Sequence, residues 1–463
     1  MMTVHLIGIG GSGLSAIAGY LLEKGYAVSG SDVKMTPALR SLQSRGARIM
    51  IGHQEENIRG ADLIVRSSAV RDDNVEILTA NRAGIPVMKR AEFLGKLTEG
   101  YDCIAVAGTH GKTTTTALIS WILTDLGFDP SYIIGGVSRN LGTNAHAGKG
   151  ELFVIEADEY DRMFLGLSPA LTVVTNVEHD HPDCFPSAGS FFQAFVDFIN
   201  RLQPTGVLIA DADDEGASRL VHINKDQKRT SLTYSISNRS EQVDYSVRNI
   251  QINKKGGSDF IAMHLGEDLI EVSLSLPGSH NISNALAALA VAHYLALPLE
   301  SVANAIAKFA GTARRFEIRG IKNGVIVIDD YAHHPSEIRA TLAAARQRFP
   351  LGEIWAVWQP HTFSRTKMFA DGFAAAFKDA NHVVVTDVFA ARETVDPDFS
   401  ISRLLEKMHH PDARYFSGFD QIVQQLNKRV KNGDVILVLS AGDADRISDN
   451  WLREQGNDLE VRT

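Results

Sequence analysis

The sequence predicts an α/β fold of three domains, based on its length and on three successive stretches in which short apolar strands alternate with helices. The chain has 463 residues, which corresponds to three domains at about 150 residues per domain. Alternating strands and helices are typical of α/β units rather than of helical bundles or β-sandwiches. We place the three domains at residues 1–98, 99–312 and 313–463.

The composition excludes several classes of protein. Hydrophobic residues make up 44% of the chain and charged residues 22%, and the mean hydropathy of -0.06 is that of an ordinary globular protein. The net charge of -9, without a basic stripe, argues against nucleic-acid binding. No apolar run reaches the roughly 20 residues of a membrane helix, so we expect no membrane insertion.

The cellular compartment is predicted from the cysteines and from the N-terminus. The only two cysteines, Cys103 and Cys184, exclude a disulfide framework and favour a cytoplasmic location. The opening MMTVHLIGIGG has no basic segment before its apolar residues, so it predicts a first strand rather than a signal peptide. The oligomeric state stays open.

The first and third domains are predicted to be doubly wound sheets. The first has a predicted helix at Gly13–Lys24 and strands at Val4–Ile9, Ala27–Ser31, Asp62–Val65 and Ile85–Val87. The third has predicted strands at Val325–Ile328, Ile354–Val357, Val383–Thr386 and Val435–Leu439, separated by helical stretches.

The second domain is predicted to hold a mixed sheet. Its short apolar segments predict buried strands at Cys103–Ala107, Leu152–Ile155, Leu171–Thr175 and Val207–Ala210. Residues 230–276 alternate polar and apolar side chains, which predicts a small antiparallel meander beside the parallel strands. The Ala-rich segment Asn281–Leu295 predicts a helix.

The most informative motif follows the strand that ends at Ala107. Gly108-Thr-His-Gly111-Lys112-Thr113, which we call the Gly-Lys-Thr loop, stands between a buried strand and a helix. Glycines in this context let backbone N–H groups face phosphate oxygens. Lys112 is a candidate partner of the β- and γ-phosphates, and Thr113 is a candidate magnesium ligand.

A second glycine motif lies near the N-terminus. Gly8-Ile-Gly10-Gly11-Ser-Gly13, the first glycine loop, also joins a strand to a helix, and Asp32 follows 24 residues after Gly8. This pattern is typical of dinucleotide binding, with the acid on a ribose hydroxyl. Taken alone, it indicates a pyrophosphate-sized anion and leaves the nucleotide open, so an NAD-dependent dehydrogenase is one hypothesis.

Polar clusters follow several predicted strands at the sheet edge where ligands of α/β proteins bind. Glu156-Ala-Asp-Glu-Tyr-Asp161 offers carboxylates for magnesium. Residues 176–183 read NVEHDHPD, and their His and Asp side chains suit a divalent ion or a substrate contact. In the third domain, DDYAHHP at residues 329–335 and QPHTFSR at residues 359–365 place histidines and an arginine in equivalent positions.

Together these blocks resemble the Mur ligase superfamily, the ATP-dependent amide ligases of peptidoglycan synthesis. The resemblance runs nearly end to end and covers AGTHGKTTTT, EADE, NVEHDHPD, PGSHNISNALAA, TARRFE, DDYAHHPSEIRATL and QPHTFSRT. Within the superfamily, IGIGGSGLSAIA and the C-terminal blocks are most similar to the member that adds L-alanine to UDP-N-acetylmuramate. The resemblance implies a Rossmann-like first domain for the UDP-sugar, a P-loop ATPase-like central domain and a Rossmann-like third domain.

The resemblance also implies a mechanism and a set of site residues. ATP, with Mg²⁺, phosphorylates the muramic acid carboxylate, and the amine of the amino acid attacks the acyl phosphate. The implied catalytic residues are Lys112, His181, Arg315, His333, His334 and Arg365. The implied ATP-binding residues are Gly108, Thr109, Gly111, Lys112, Thr113, Thr114, Asn281, Asn284 and Asp330. Thr113 and Glu156 would hold one magnesium ion, and His181 with Glu156 a second. The implied UDP-sugar residues are Gly8, Gly10, Gly11, Gly13, Asp32, Ser67 and Ser68.

Three positions depart from the alanine-adding pattern. Thr362 stands where an arginine is usual, EADEYD is closer to the ligase that re-attaches a recycled tripeptide, and SAGDAD at residues 440–445 replaces a more usual GAGD-I-G block. The alternative hypothesis is therefore that this chain adds a preformed tripeptide to UDP-N-acetylmuramate.

Overall fold

A computed structural model describes residues 2–237 and 243–453 of the chain. These residues form three sheets of five, ten and six strands, arranged one after another along the sequence. The last ten residues of the predicted third domain, 454–463, lie outside the described residues. Within the described ranges, no helix is long and apolar enough to cross a membrane.

The first sheet is wholly parallel, in the order β3-β2-β1-β4-β5. Its strands are β1 (Thr3–Ile7), β2 (Ala27–Asp32), β3 (Arg48–Ile51), β4 (Leu63–Arg66) and β5 (Val87–Lys89), and its helices are α1 (Ser12–Glu23), α2 (Pro37–Ser44), α3 (Val75–Ala83) and α4 (Arg90–Leu97), with a 3₁₀ turn at Glu55–Ile58. The predicted first strand, Val4–Ile9, ends two residues earlier, because Gly8 adopts a φ of +81° and turns the chain into the first glycine loop.

The second sheet is mixed, in the order β15-β14-β13-β12-β11-β10-β6-β9-β7-β8. Its strands are β6 (Asp102–Ala107), β7 (Ser131–Ile133), β8 (Ala145–His146), β9 (Leu152–Glu156), β10 (Leu171–Val174), β11 (Val207–Asp211), β12 (Thr230–Tyr234), β13 (Tyr245–Ile252), β14 (Ser258–His264) and β15 (Glu267–Leu274). Its helices are α5 (Lys112–Asp125), α6 (Ala188–Ile199), α7 (Glu215–Asp226), α8 (Ser279–Tyr294) and α9 (Leu299–Lys308), with a 3₁₀ segment at Tyr160–Gly166. The meander is present as the antiparallel strands β13 to β15, whereas β12 pairs in parallel with β11 and so belongs to the parallel part.

The third sheet runs in the order β16-β17-β21-β18-β19-β20, and only its edge strand β16 is antiparallel. Its strands are β16 (Glu317–Lys322), β17 (Val325–Asp330), β18 (Ile354–Trp358), β19 (His382–Val385), β20 (Ala413–Tyr415) and β21 (Val435–Leu439). Its helices are α10 (Pro335–Arg348), α11 (Phe363–Met368), α12 (Ala370–Ala374), α13 (Ile401–Met408), α14 (Phe419–Arg429) and α15 (Asp445–Arg453).

The contacts between the three units differ in chemistry. One apolar cluster runs from the first sheet into the second, and the rings of Tyr20 and Phe153 meet across it at 5.5 Å. The apolar clusters of the third unit, in contrast, contain only residues from Phe316 onward among the described residues. The third unit contacts the second mainly through polar and charged side chains. Such an interface allows relative motion, so we expect ligands to change the position of the third unit rather than that of the first.

Candidate active site

The Gly-Lys-Thr loop leaves the buried strand β6 and leads directly into α5. Gly108 has a φ of +137°, and a Cβ there would lie 2.0 Å from Thr175 Oγ1, so only glycine fits. The residues after β10 fix the loop from the side: His110 N donates to Asn176 Oδ1 at 2.8 Å, and Thr109 Oγ1 donates to the Glu178 carbonyl at 2.7 Å. This geometry holds the N-terminus of α5 open as an anion site.

Lys112 is buried against carboxylates. Its Nζ lies 2.8 Å from Glu159 Oε2 and also donates to the Gly108 carbonyl. Burial alone would lower the pKa of Lys112, but the negative charges of Glu159, Asp158 and Glu156 outweigh it and raise the pKa. Lys112 is therefore a fixed cation beside the phosphate cradle.

Thr113 and Glu156 form the part of the site that fits magnesium. Thr113 Oγ1 donates to Glu156 Oε1 at 3.0 Å, and Gly135 N donates to Glu156 Oε2 at 2.6 Å. Burial raises the pKa of Glu156 above its ordinary value, and the positive charge of Lys112 offsets only part of this rise. A hydroxyl and a carboxylate at the N-terminus of a phosphate-binding helix are the hard oxygen ligands that Mg²⁺ prefers, so these residues suit the ion.

His181 contacts a different carboxylate from the one that the sequence suggested. Its Nε2 lies 3.5 Å from Glu159 Oε1, which also accepts from Lys112. The pairing of His181 with Glu156 around a second metal ion stays a prediction. His181 has a φ of +53°, a left-handed conformation that its backbone N–H stabilises by donating to Asp180 Oδ1 at 2.7 Å.

The third unit reaches this site through a buried ion pair. Arg365 Nε donates to Asp180 Oδ1 at 2.8 Å, and both side chains are only 4% exposed. The same guanidinium contacts His361 Nδ1 at 2.8 Å and His181 Nδ1 at 3.4 Å. Arg365 and His181 thus come together although they are 184 residues apart.

The loop after β17 forms a second contact across the cleft. His333 and His334 lead into α10, and Ser336 Oγ donates to Glu178 Oε1 at 2.7 Å. Glu337 lies 3.2 Å from His110 Nδ1, 3.3 Å from His333 Nδ1 and 3.5 Å from Arg315 Nη1. The sequence-predicted groups Arg315, His333 and His334 therefore gather around Glu337 and Glu178.

A cavity of about 340 Å³ lies between the second unit and the third. The predicted ATP-binding residues among its lining are Gly111, Thr113, Thr114, Asn281, Asn284 and Asp330. Asn284 Oδ1 accepts from Thr115 Oγ1 at 3.2 Å, and Asp330 is held by the backbone N–H groups of Phe316 and Ala332 at 2.7 and 2.8 Å. The cleft is thus bounded by the phosphate cradle on one side and by the third unit on the other.

The first glycine loop presents its backbone to a separate site. Gly10 N donates to Asp32 Oδ2 at 2.8 Å, and Ser67 packs against Gly8. Gly13 lies so close to Arg90 that an added Cβ would be 1.8 Å from its Nη1. Arg90 in turn pairs with Asp158 of the second unit at 3.0 Å. A cavity of about 580 Å³ is lined by Ser68 and by both basic and acidic side chains: Arg66, Arg71, Lys89 and Arg90, and Asp72, Asp73 and Asp161.

Several residues of these sites were given no individual role in the sequence prediction, although Glu159, Glu178 and Asp180 stand in its acidic blocks. They are His110, Glu159, Glu178, Asp180, Glu337 and the basic group Arg66, Arg71, Lys89 and Arg90. A signal existed for the basic group, because Arg66 and Lys89 end neighbouring parallel strands. The acidic residues stand in motifs that the sequence shows, but the sequence does not show which carboxylate of a motif faces the site.

Comparison with known proteins places the chain in a family. Three family models match in succession: the Mur ligase family catalytic domain at residues 3–102, the Mur ligase middle domain at 106–292 and the Mur ligase glutamate ligase domain at 314–442. The UDP-N-acetylmuramate–L-alanine ligase of Caldanaerobacter subterraneus subsp. tengcongensis is 40% identical over 97% of both chains. This chain belongs to the Mur ligase family. The corresponding ligase of Solidesulfovibrio magneticus is 42% identical over 98% of both chains.

Solved structures give the same assignment for this Mur ligase. The UDP-N-acetylmuramate-alanine ligase MurC of Thermotoga maritima superposes with a TM-score of 0.82, at 29% identity and over 98% of both chains. The murein peptide ligase Mpl of Psychrobacter arcticus superposes with a TM-score of 0.73, at 25% identity and over all of both chains. The predicted three-domain α/β fold class is confirmed. These proteins are ligases, so the dehydrogenase hypothesis is not favoured.

Proposed function

We propose that this Mur ligase joins L-alanine to the carboxylate of UDP-N-acetylmuramate, using ATP and Mg²⁺, as a cytoplasmic step of peptidoglycan precursor synthesis. The observation that carries the proposal is the near-complete coverage by relatives named for that reaction, at 40–42% identity. The cleft supports it, because a lysine-bearing phosphate cradle faces histidines and an arginine from the third unit.

The first step is phosphoryl transfer to the sugar acid. A carboxylate oxygen of UDP-N-acetylmuramate attacks the γ-phosphorus of ATP, and ADP leaves. Lys112 is held as a cation beside the loop and stabilises the negative charge of the transferring group. Thr113 and Glu156 would hold Mg²⁺, which neutralises phosphate charge when bound. The N–H groups of the Gly-Lys-Thr loop orient the phosphates.

The second step forms the amide. The amine of L-alanine attacks the acyl carbon, inorganic phosphate leaves, and the nitrogen gives up a proton. Burial lowers the pKa of His333 to about 4, so this imidazole is neutral and can accept a hydrogen bond from the attacking amine, which releases its proton to water. Arg365 and Arg315 supply positive charge for the departing phosphate or for the amino acid carboxylate. Contact between the units excludes water, which would otherwise hydrolyse the acyl phosphate.

The first domain is assigned to the uridine sugar. Gly8, Gly10, Gly11 and Gly13 shape the turn into the N-terminus of α1, which is the anion site. The cavity lined by Ser68 and the basic group lies mainly in the same domain. Asp32 faces the loop, at the position where a ribose hydroxyl would bind. Calorimetric titration of the full chain tests this assignment: we expect UDP-N-acetylmuramate to bind and NAD not to bind, and the reverse result would contradict it.

The alternative function, addition of a recycled tripeptide, is not favoured by the relatives and rests on two departures in the third domain. Thr362 replaces the usual arginine at the N-cap of α11, the helix that carries Arg365. The altered 440–445 block surrounds the side chain of Gln359, whose Oε1 accepts from Ser440 Oγ at 2.6 Å and Asp443 N at 3.1 Å. Both departures therefore act close to the QPH block.

One experiment separates the two functions. ATP-dependent phosphate release is measured with UDP-N-acetylmuramate and a panel of L-alanine, glycine, L-serine and the tripeptide. We expect L-alanine to give the highest kcat/KM. A higher kcat/KM for the tripeptide would establish the second function. If none of the four acceptors supports phosphate release, both functions are contradicted.

A further inference from the structure

A second cluster of metal-ligating side chains lies where the third unit meets the Gly-Lys-Thr loop. It consists of His110 in the loop, Glu178 after β10 and His334 at the start of α10, and we call it the His–Glu–His cluster. One ligand atom from each residue lies within 4.8 Å of the other two. Residues from two structural units are thus already gathered as three ligands of an ion would be.

The distances in the cluster fit a small tetrahedral ion. Glu178 Oε2 lies 2.9 Å from His110 Nε2 and 3.7 Å from His334 Nδ1. Ligand atoms about 2 Å from a zinc ion are about 3.4 Å apart in tetrahedral geometry. These two separations lie on either side of this value, and the two imidazole nitrogens lie within 4.8 Å of each other, so side-chain rotations would bring the three ligands around one ion.

Neighbouring groups already orient two of the three ligands, and the third, His334 Nδ1, accepts from Ser336 N at 3.3 Å, a hydrogen bond that the ion would replace. His110 Nδ1, the nitrogen that faces away from Glu178, lies 3.2 Å from Glu337 Oε1. The other carboxylate oxygen of Glu178, Oε1, accepts from Ser336 Oγ at 2.7 Å. A carboxylate on the far nitrogen of a histidine and a hydrogen bond on the far oxygen of a carboxylate are the supports that metal ligands usually have.

The protonation of the histidines is compatible with binding. Burial and the nearby charge of His110 lower the pKa of His334, so its ring is neutral. Burial also lowers the pKa of His110, but Glu337 and Glu178 outweigh it and raise that pKa to about 9. A proton therefore occupies the space between His110 and Glu178 in the absence of a cation, and a bound ion would take its place.

We propose that the His–Glu–His cluster binds a divalent transition-metal ion of the zinc or cobalt type and thereby ties the third unit to the Gly-Lys-Thr loop. Two imidazoles and one carboxylate are a ligand set for such ions, whereas Mg²⁺ prefers oxygen ligands. The site is distinct from the magnesium position at Thr113 and Glu156. Three protein ligands leave one tetrahedral position for water.

Cobalt(II) is the probe for this site, because its visible absorption reports tetrahedral nitrogen and oxygen ligands. The full chain is titrated with CoCl₂ in excess MgCl₂, without ATP. We expect one Co²⁺ per chain, with a visible band that one equivalent of ZnCl₂ removes. No band under these conditions would overturn the proposal. A band that appears only when MgCl₂ is left out would overturn it too, because the ion would then lie in the magnesium position.

Two variants place the ion in the cluster. Glu178→Gln keeps the shape of the side chain and removes its charge. His334→Asn removes the imidazole but keeps a residue type that is favoured at the N-cap of α10. We expect each variant to bind Co²⁺ at least about 100-fold more weakly than the unaltered chain, and equal binding by either folded variant would overturn the proposal.

His146→Gln is the matched control. His146 also lies between two carboxylates, at 2.9 Å from Glu23 Oε2 and 2.9 Å from Asp129 Oδ1, but among the residues that the structure describes no second imidazole joins this group. We expect its cobalt band to be unchanged, and loss of the band in this variant alone would assign the ion to that surface group and overturn the proposal. The readout is metal binding, so it does not depend on which amino acid the enzyme adds.

Discussion

The two glycine loops of this Mur ligase share a backbone plan and differ in the charges around them. Each follows a buried parallel strand, contains a glycine of positive φ and leads into a helix. Gly8 has a φ of +81° and Gly108 a φ of +137°. Both loops therefore lead to a helix N-terminus, where anions bind, and the backbone alone does not distinguish their ligands.

The surrounding side chains make the distinction. The Gly-Lys-Thr loop carries its own cation, Lys112, and faces Glu159 and Glu156 from the end of the neighbouring strand and its loop. The first glycine loop carries no lysine of its own, has Arg90 beside Gly13, and faces one carboxylate, Asp32, on the neighbouring strand. A lysine with two acids suits a metal-bound triphosphate, whereas a lone acid suits a ribose hydroxyl.

The largest expected effect comes from removing the loop cation. We predict that Lys112→Ala lowers kcat by at least about 1,000-fold, because charge on the transferring phosphoryl group loses its fixed partner. Phosphate release measures the loss, and calorimetry with UDP-N-acetylmuramate is expected to show unchanged binding in the first domain. Near-normal phosphate release would contradict the role of Lys112.

Two further variants separate this effect from folding. Lys112→Ala leaves the buried Glu159 without its partner, which can destabilise the chain. Combining it with Glu159→Gln removes that charge, and we expect the double variant to fold and to remain inactive. Lys308→Ala is the control, because Lys308 pairs with Asp125 at the other end of α5, 3.1 Å away, and we expect full activity.

The second effect concerns acid, and it is measured at the first loop. Glu76 is fully buried beneath it and accepts from Ser31 and Asn57 at 2.6 and 2.5 Å. Burial alone would raise the pKa of Glu76, but His5, Ser31 and Asn57 outweigh it and lower the pKa from 4.5 to about 2. Because the folded pKa is depressed, the stabilisation is complete above pH 4.5 and is lost as the pH falls toward 2.

Hydrogen exchange of peptides from β2 measures this loss. We predict that the opening free energy of these peptides falls by about 3 kcal/mol across that interval. In Glu76→Gln we expect the opening free energy to depend little on pH. Glu55→Gln is the control, because its carboxylate is 54% exposed, and we expect this variant to keep the pH dependence of the unaltered chain. An unchanged slope in Glu76→Gln would contradict the assignment.

The sequence predicted the fold well where the determinants are local. Gly108, Gly111 and Lys112 specify a strand–loop–helix unit within six residues, and the buried strands are short apolar runs. The strands that were missed are short or lie toward sheet edges. They include β3 with its half-exposed side chains, β7 of three residues and β8 of two, and pairing with a neighbour decides such strands more than their own composition does.

The site was predictable in outline but not in its contacts. EADE offers three carboxylates, and the one facing Lys112 is Glu159, after which Asp161 and Arg162 turn the chain with φ values of +53° and +52°. Arg365 and Asp180 are 185 residues apart, so only the folded chain shows that they pair. The roles assigned to these residues stay predictions until the variants are measured.

The third effect compares two glycines at the ends of α5. Gly111 and Gly127 have nearly equal φ values, +82° and +85°, so alanine strains both by about 1 kcal/mol. Only at Gly111 would the added Cβ meet a neighbour, Asn284 Oδ1 at 2.5 Å. We predict that Gly111→Ala raises the KM for ATP by about 30-fold, roughly 2 kcal/mol, and that Gly127→Ala leaves it unchanged. Equal values would show that Asn284 does not shape the ATP cleft.

The smallest effect is the counterpart in the first loop. An alanine at position 10 would place its Cβ 2.8 Å from Asp32 Oδ2, the oxygen that now accepts from Gly10 N. The carboxylate must rotate away, so it loses this hydrogen bond and its aim at the ribose position. We predict that Gly10→Ala raises the KM for UDP-N-acetylmuramate about tenfold, equivalent to about 1.4 kcal/mol, without changing the KM for ATP. Gly189→Ala, whose Cβ has no neighbour closer than 3.8 Å, is expected to change neither value. A rise in the KM for ATP instead would show that the two loops do not serve separate nucleotides.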